Sequence, residues 1–141
     1  MKPVYNIFVY GSLRKGFHSD AYNYISRYFY LAAADAKVKG KLYDLGEYPA
    51  AVATNEDYFI IGELYHISHD EEFSWAIEQL DDYEGINIEA HEQATYKREL
   101  TTVHVNNETV TAWIYWFTGL VEGKPLIASG DVFEYFKQKN K

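Results

Sequence analysis

Val4-Tyr5-Asn6-Ile7-Phe8-Val9-Tyr10, followed at once by Gly11-Ser12-Leu13-Arg14-Lys15-Gly16, joins a β-branched and aromatic run to a glycine-bounded turn. The first part reads as a buried strand and the second as the turn that ends it. A glycine directly after a buried strand lets the backbone approach a ligand closely, and successive N–H groups in such a turn can form an anion-binding concavity. A plain strand-to-helix connection explains the same letters. Two sharper motifs fail. Gly11 and Gly16 have the glycine spacing of a nucleoside-triphosphate cradle, but Phe17-His18 stand where Lys and Ser or Thr are needed. Ser12 follows Gly11 directly, which does not match the G-x-S-x-G nucleophile turn.

Working outward, Ser19 or Asp20 can cap a helix running to roughly Phe29, with Tyr22, Ile25 and Phe29 at helical spacing. Ala36 to Leu45 then reads as a strand with Val38, Gly40 and Leu42 on one face, Gly46-Glu47-Tyr48-Pro49 as a turn, and Asp57 to Ile67 as a second strong strand. Ser68-His69-Asp70-Glu71 has capping-box spacing and predicts a helix with Phe73, Ile77 and Leu80 on one face, ended by Gly85. Tyr96 to Val105 and Thr109 to Phe117 read as a hairpin around Asn106-Asn107, since asparagine tolerates positive φ. Val132 to Gln138 reads as a short helix. Strands outnumber helices and do not alternate strictly with them, which favours an α+β fold with a curled antiparallel or mixed sheet. A small barrel would remove its exposed edges.

The chain has 141 residues, and no repeat or linker divides it, so a single domain over 1–141 is expected. It contains no Cys, which fits a reducing compartment and leaves oxygen and nitrogen groups to do any chemistry. Thirteen Lys and Arg against twenty-one Asp and Glu give a formal charge of −8, which disfavours nucleic acid and anionic membranes as partners. The longest apolar or aromatic run, Tyr28 to Ala34, is seven residues, against the ~18 or more of a membrane span, and no signal-like stretch opens the sequence. A cytoplasmic location is expected. Oligomeric state is not legible.

Leu80-Asp81-Asp82-Tyr83-Glu84-Gly85 is the second candidate for chemistry. At 100° per residue Glu84 lies about 40° from Leu80 and about 20° from Ile77 and Phe73, which puts an acid on the apolar face, while Asp81 and Asp82 read as solvated. Desolvation there would raise the Glu84 pKa toward the range useful to a general base. A helix that frays before Gly85 would instead leave Glu84 in water. His66 and His69 are three apart but lack a third ligand, and His18, His91 and His104 are dispersed, so no metal site is expected. Arg98 reads as a strand residue able to pair with an internal carboxylate or, more commonly, across the surface. Trp113, Tyr115 and Phe117 share one strand face and read as core.

Several of these fragments, in order along nearly the whole chain, resemble the γ-glutamylcyclotransferase-like (AIG2-like) family. Phe8 to Gly16 looks like its opening strand and substrate loop, and Gly46-Glu47-Tyr48-Pro49-Ala50 like its G-x-x-P-A turn. Leu80 to Gly85 is similar to the L-D-x-x-E-G segment that carries the family's acid/base, and Tyr96-Lys97-Arg98 to the Y-x-R that follows. Ala112-Trp113-Ile114-Tyr115 and Ser129-Gly130-Asp131 complete the order. Val132, Ile86 and Asp20 depart from the residues common in relatives and bear on which substrate is taken.

The resemblance implies a small mixed or antiparallel barrel flanked by a few helices and a cofactor-independent enzyme. It implies a cavity between the Tyr10–Leu13 loop and Glu84. A small γ-glutamyl amine or peptide would cyclise there to 5-oxoproline, with Glu84 as general acid/base and Tyr10, Gly11, Ser12, Leu13 and Tyr115 binding substrate. The rival from another class is a non-catalytic module that binds a γ-glutamyl or amino-acid-like compound.

Overall fold

Ile7 and Val9 alternate with Phe8 along β1 (Asn6–Val9), and both faces of this strand are buried in the computed structural model, which describes residues 4–10, 25–45, 49–83, 96–119 and 121–139. The order continues with β2 (Phe29–Lys39), β3 (Lys41–Asp44), β4 (Pro49–Val52), β5 (Phe59–Ile67), α1 (Phe73–Tyr83), β6 (Tyr96–Val105), β7 (Glu108–Phe117), β8 (Leu126–Ile127) and α2 (Val132–Lys139). Five strands form a closed barrel in the order β1-β5-β2-β6-β7, and β4-β3-β8 make a separate three-stranded sheet. The barrel's neighbours are antiparallel except at the seam, where β1 lies parallel to β7 with Ile7 opposite Trp113. This is the α+β architecture expected, with a mixed barrel closing the sheet's edges.

Alternate residues of the barrel strands feed two cores. Ile7, Val9, Tyr65, Ile67 and Tyr115 pack with Phe73, Ala76, Ile77 and Leu80 of α1. A five-stranded barrel has no room for a helix, so this is its outer face. Phe8, Tyr10, Val38, Ile60, Leu64, Ile114 and Trp116 form the other core, joined by Leu42, Ala51 and Ile127 of the three-stranded sheet and by Val132 of α2. The β6–β7 hairpin holds its register from Tyr96 opposite Phe117 to Val105 opposite Glu108, and Asn106 in the turn adopts φ 56°. Among the described residues, no helix is long and apolar enough to cross a membrane.

Several elements differ from the sequence reading. Residues 25–28 are helical, but Phe29 belongs to β2, where it pairs with Ile67; sharing a helical stripe with Ile25 did not outweigh a barrel partner. The strand expected over Ala36 to Leu45 is two strands. It breaks at Gly40, and the chain leaves the barrel there for the second sheet. The capping box expected from Ser68 and Glu71 is replaced by a 3₁₀ turn, Asp70–Glu72, with His69 at its N-cap and no side-chain cap bond. Gly46 to Tyr48 and the segment around Gly85 lie outside the described residues.

Candidate active site

Strand register brings four side chains into one row across the outer face of the barrel. Val9 of β1 lies opposite Glu63 of β5, and Arg98 of β6 opposite Tyr115 of β7. Ile7 of β1 pairs with Trp113 of β7, and Val9 and Tyr115, each two residues further on, pack in the same core. The last turns of α1 cover this row, and Asp81 reaches down to it. Its Oδ1 accepts from Arg98 Nε at 2.7 Å and from the Tyr115 hydroxyl at 2.8 Å, while its Oδ2 accepts from Arg98 Nη2 at 3.0 Å. The two-pronged pairing of a guanidinium with a carboxylate fixes the plane of both groups.

Each member of this network is itself held. The Arg98 guanidinium stacks 4.4 Å from the Trp113 ring centre, and the Trp113 indole N–H donates to the Val4 carbonyl at 3.0 Å. The Tyr115 carbonyl accepts a hydrogen bond from the Tyr10 hydroxyl. Tyr115 thus binds α1 through its side chain and the end of β1 through its backbone. At the other end of the row Glu63, also buried, accepts from the Tyr65 hydroxyl at 2.9 Å. Tyr96, at the start of β6, donates from its hydroxyl to the Pro49 carbonyl at 2.8 Å and ties the first residue of β4 to the barrel.

Of the residues singled out in the sequence, Tyr10 and Tyr115 are brought together directly. Gly11, Ser12, Leu13 and Glu84 lie outside the described residues; Gly11 is next in sequence after Tyr10, and Glu84 follows the last residue of α1. Arg98 takes the internal carboxylate and not a surface partner. Asp81, read as solvated, is 7% exposed and is the hub of the network. The signal for it was present: Asp81 is four residues after Ile77, hence about 40° from it around the helix, on the margin of the buried face. Glu63 was not singled out, because an acid inside a β-branched run resembles the outward half of an alternating strand. His66 Nδ1 lies 2.5 Å from Asn6 Oδ1 and the His104 ring packs edge-on to Phe59. Among the described residues, no three His, Cys, Asp or Glu groups are placed to hold a metal ion.

Known proteins resemble this chain over nearly its whole length. A Vibrio cholerae protein with the provisional name γ-glutamylcyclotransferase is 32% identical over 125 residues, covering 89% of this chain and 92% of that protein. The crystal structure of YkqA from Bacillus subtilis superposes with a TM-score of 0.70 at 25% identity over 96% of this chain, which spans 42% of YkqA's length. The solution structure of ytfP from Escherichia coli gives a TM-score of 0.64 at 29% identity, over 93% of this chain and 98% of that one. The model of the family described as γ-glutamyl cyclotransferase, AIG2-like, matches residues 7–134, from β1 through the barrel, the Asp81 network and the first turn of α2, and the chain belongs to that family.

Proposed function

We propose that this protein is an enzyme of γ-glutamyl cyclotransferase type. The α-amine of a bound γ-glutamyl amine or peptide attacks its own γ-carbonyl, a new C–N bond closes the five-membered ring, the bond to the leaving nitrogen breaks, and 5-oxoproline and a free amine depart. The nucleophile is tethered to its target. Effective molarities of about 10⁵–10⁸ M for well-oriented intramolecular reactions leave the protein chiefly to fold the substrate and move protons. Glu84 is the group assigned to that work: the attacking ammonium loses two protons on becoming the lactam N–H, one to solvent before attack and one to Glu84 as base, and Glu84 as acid returns its proton to the leaving nitrogen, a role worth typically 10²–10⁴-fold. Backbone N–H groups at Gly11 to Leu13, with the Ser12 hydroxyl, are assigned to the α-carboxylate or the developing oxyanion, and Tyr10 and Tyr115 to the walls and polar end of the site. The reaction balances without an oxidant, reductant or cofactor.

The observation that carries this reading is the position of Tyr115, which bonds both to the residue preceding Gly11 and to the helical turn preceding Glu84, in a chain whose family match spans both segments. The test is a panel of γ-glutamyl amines and peptides screened for 5-oxoproline with wild type and Glu84→Gln side by side. Wild type is expected to release it from at least one compound, and the nearly isosteric variant to stay folded and lose at least about 10²-fold of the rate. Retained turnover in Glu84→Gln removes Glu84 from the mechanism. Calorimetric binding of a γ-glutamyl compound with no product from wild type would replace the enzyme by a binding module.

A further inference from the structure

We infer that Asp81 and Arg98 are positioning residues for this reaction, locking the last turn of α1 to β6 and, through Tyr115, to the end of β1. The inference rests on the cyclotransferase reading above. Three donors on one carboxylate, two of them from a single rigid fork, hold Asp81 in one orientation. Arg98 cannot swing away from it without leaving the Trp113 face on which it lies. Tyr115 then passes the constraint to the end of β1 through its carbonyl and the Tyr10 hydroxyl. In the cyclotransferase reading the acid/base, Glu84, is three residues beyond Asp81 in sequence, which is why the hold on that last turn bears on the reaction.

Magnitudes favour a geometric role over a purely stabilising one. Replacing a buried ion pair by well-packed apolar groups is often neutral or stabilising, and here the Arg98 side chain is still 23% exposed, so fold stability is a weak account of this pair. A side-chain tip lies roughly 6 Å from a helix axis and travels about 1 Å for each 10° of rotation, and a misplacement of about 1 Å at a reacting centre can lower a rate about 10²-fold. Neither Asp81 nor Arg98 needs to touch the substrate for its loss to be felt there.

The test is steady-state kinetics and kcat–pH profiles for wild type, Asp81→Asn, Arg98→Lys, Tyr115→Phe and the double variant Asp81→Asn/Tyr115→Phe, on a γ-glutamyl compound that wild type cyclises, with far-UV circular dichroism confirming the fold. Asp81→Asn is expected to lower kcat about 10–100-fold with KM changed less than about 3-fold, and to leave the pH limbs where wild type has them. Arg98→Lys, which keeps the charge but loses the fork and the stacking, should move kcat in the same direction. The double variant should fall by less than the product of the two single losses, since Asp81 and Tyr115 act in part through one hydrogen bond. A folded Asp81→Asn with kcat within about 2-fold of wild type overturns the inference, and so does loss of a pH limb in that variant, which would make Asp81 the acid/base itself. Should Asp81→Asn not fold, Arg98→Lys decides by the same criteria. Glu84→Gln run in parallel separates the failures: if it stays active the acid/base role of Glu84 falls while the cyclisation itself stands, whereas if it is silent while Asp81→Asn and Arg98→Lys are undisturbed, the positioning role falls by itself. If wild type cyclises nothing, amide exchange in the Leu80–Tyr83 turn decides, and exchange as slow in Asp81→Asn as in wild type rejects the clamp.

Discussion

At Gly62 a side chain has nowhere to go. A Cβ built there would lie 2.2 Å from the Val9 carbonyl oxygen and 2.7 Å from the Phe8 ring, so β5 and the end of β1 approach each other as closely as they do because the residue is glycine. Gly62→Ala is expected to cost on the order of 2–4 kcal/mol, read as a lowered urea midpoint with an unchanged slope, because the nearest atom is backbone and cannot rotate away. A midpoint within error of wild type would mean that β1 shifts easily. Gly130, at φ 72° and with a Cβ position 1.8 Å from the Phe59 carbonyl, has the same constraint from both directions. At this scale the sequence was legible at Tyr10, read as the end of a buried run and found buried. At Asp81 it was legible only in part: the spacing puts this residue at the margin of the buried face, but the same aspartate is solvated or buried according to whether a strand elsewhere offers an arginine.

Among elements, the β6–β7 hairpin was legible almost to the residue, because two strongly β-forming runs flank a pair of asparagines and the partners are local. β2 was not. Its first half, Phe29 to Asp35, is alanine-rich, has register irregularities against β5 between Leu31 and Ala36, and carries no period that separates strand from helix. β4 and β8, of four and two residues, are too short for any pattern and exist because β3 offers them an edge. The turn before β5 is braced by Lys41 of β3, whose ammonium lies 2.5 Å from Glu56 Oε2. The hydrogen bond from Lys41 and then its charge lower the Glu56 pKa, and the same hydrogen bond raises that of Lys41. A lowered acid stabilises the fold above its ordinary pKa and loses that effect as pH falls through the lowered value. A raised base stabilises below its ordinary pKa and loses the effect as pH rises through the raised one. Wild type should therefore exceed Glu56→Gln in urea midpoint across the window between the unperturbed values of 4.5 and 10.5, with the gap closing at both ends and shrinking in high salt. A gap that persists with Glu56 protonated would assign the effect to something other than this pair.

For the molecule as a whole, Phe8 stands where the barrel interior and the three-stranded sheet share one core, and it is fully buried. Phe8→Ala is expected to cost about 3–5 kcal/mol, with the entire chain melting earlier in one transition. Separate melting of the barrel and the second sheet in that variant would show two cooperative units where the shared core implies one. Apart from the first half of β2, the strands of this barrel were legible from local pattern, but its closure was not. The parallel seam joins β1 to a strand about a hundred residues away, and no periodicity reports a partner at that range; the order of family-like motifs pointed to it instead.

That seam also has a consequence for biosynthesis. At about 5–20 residues per second, β1 leaves the ribosome roughly 5–20 s before the stretch that will lie alongside it. Throughout that interval Ile7-Phe8-Val9 has an unmatched edge and two oily surfaces, an invitation to stick to other nascent chains that holdase chaperones exist to refuse.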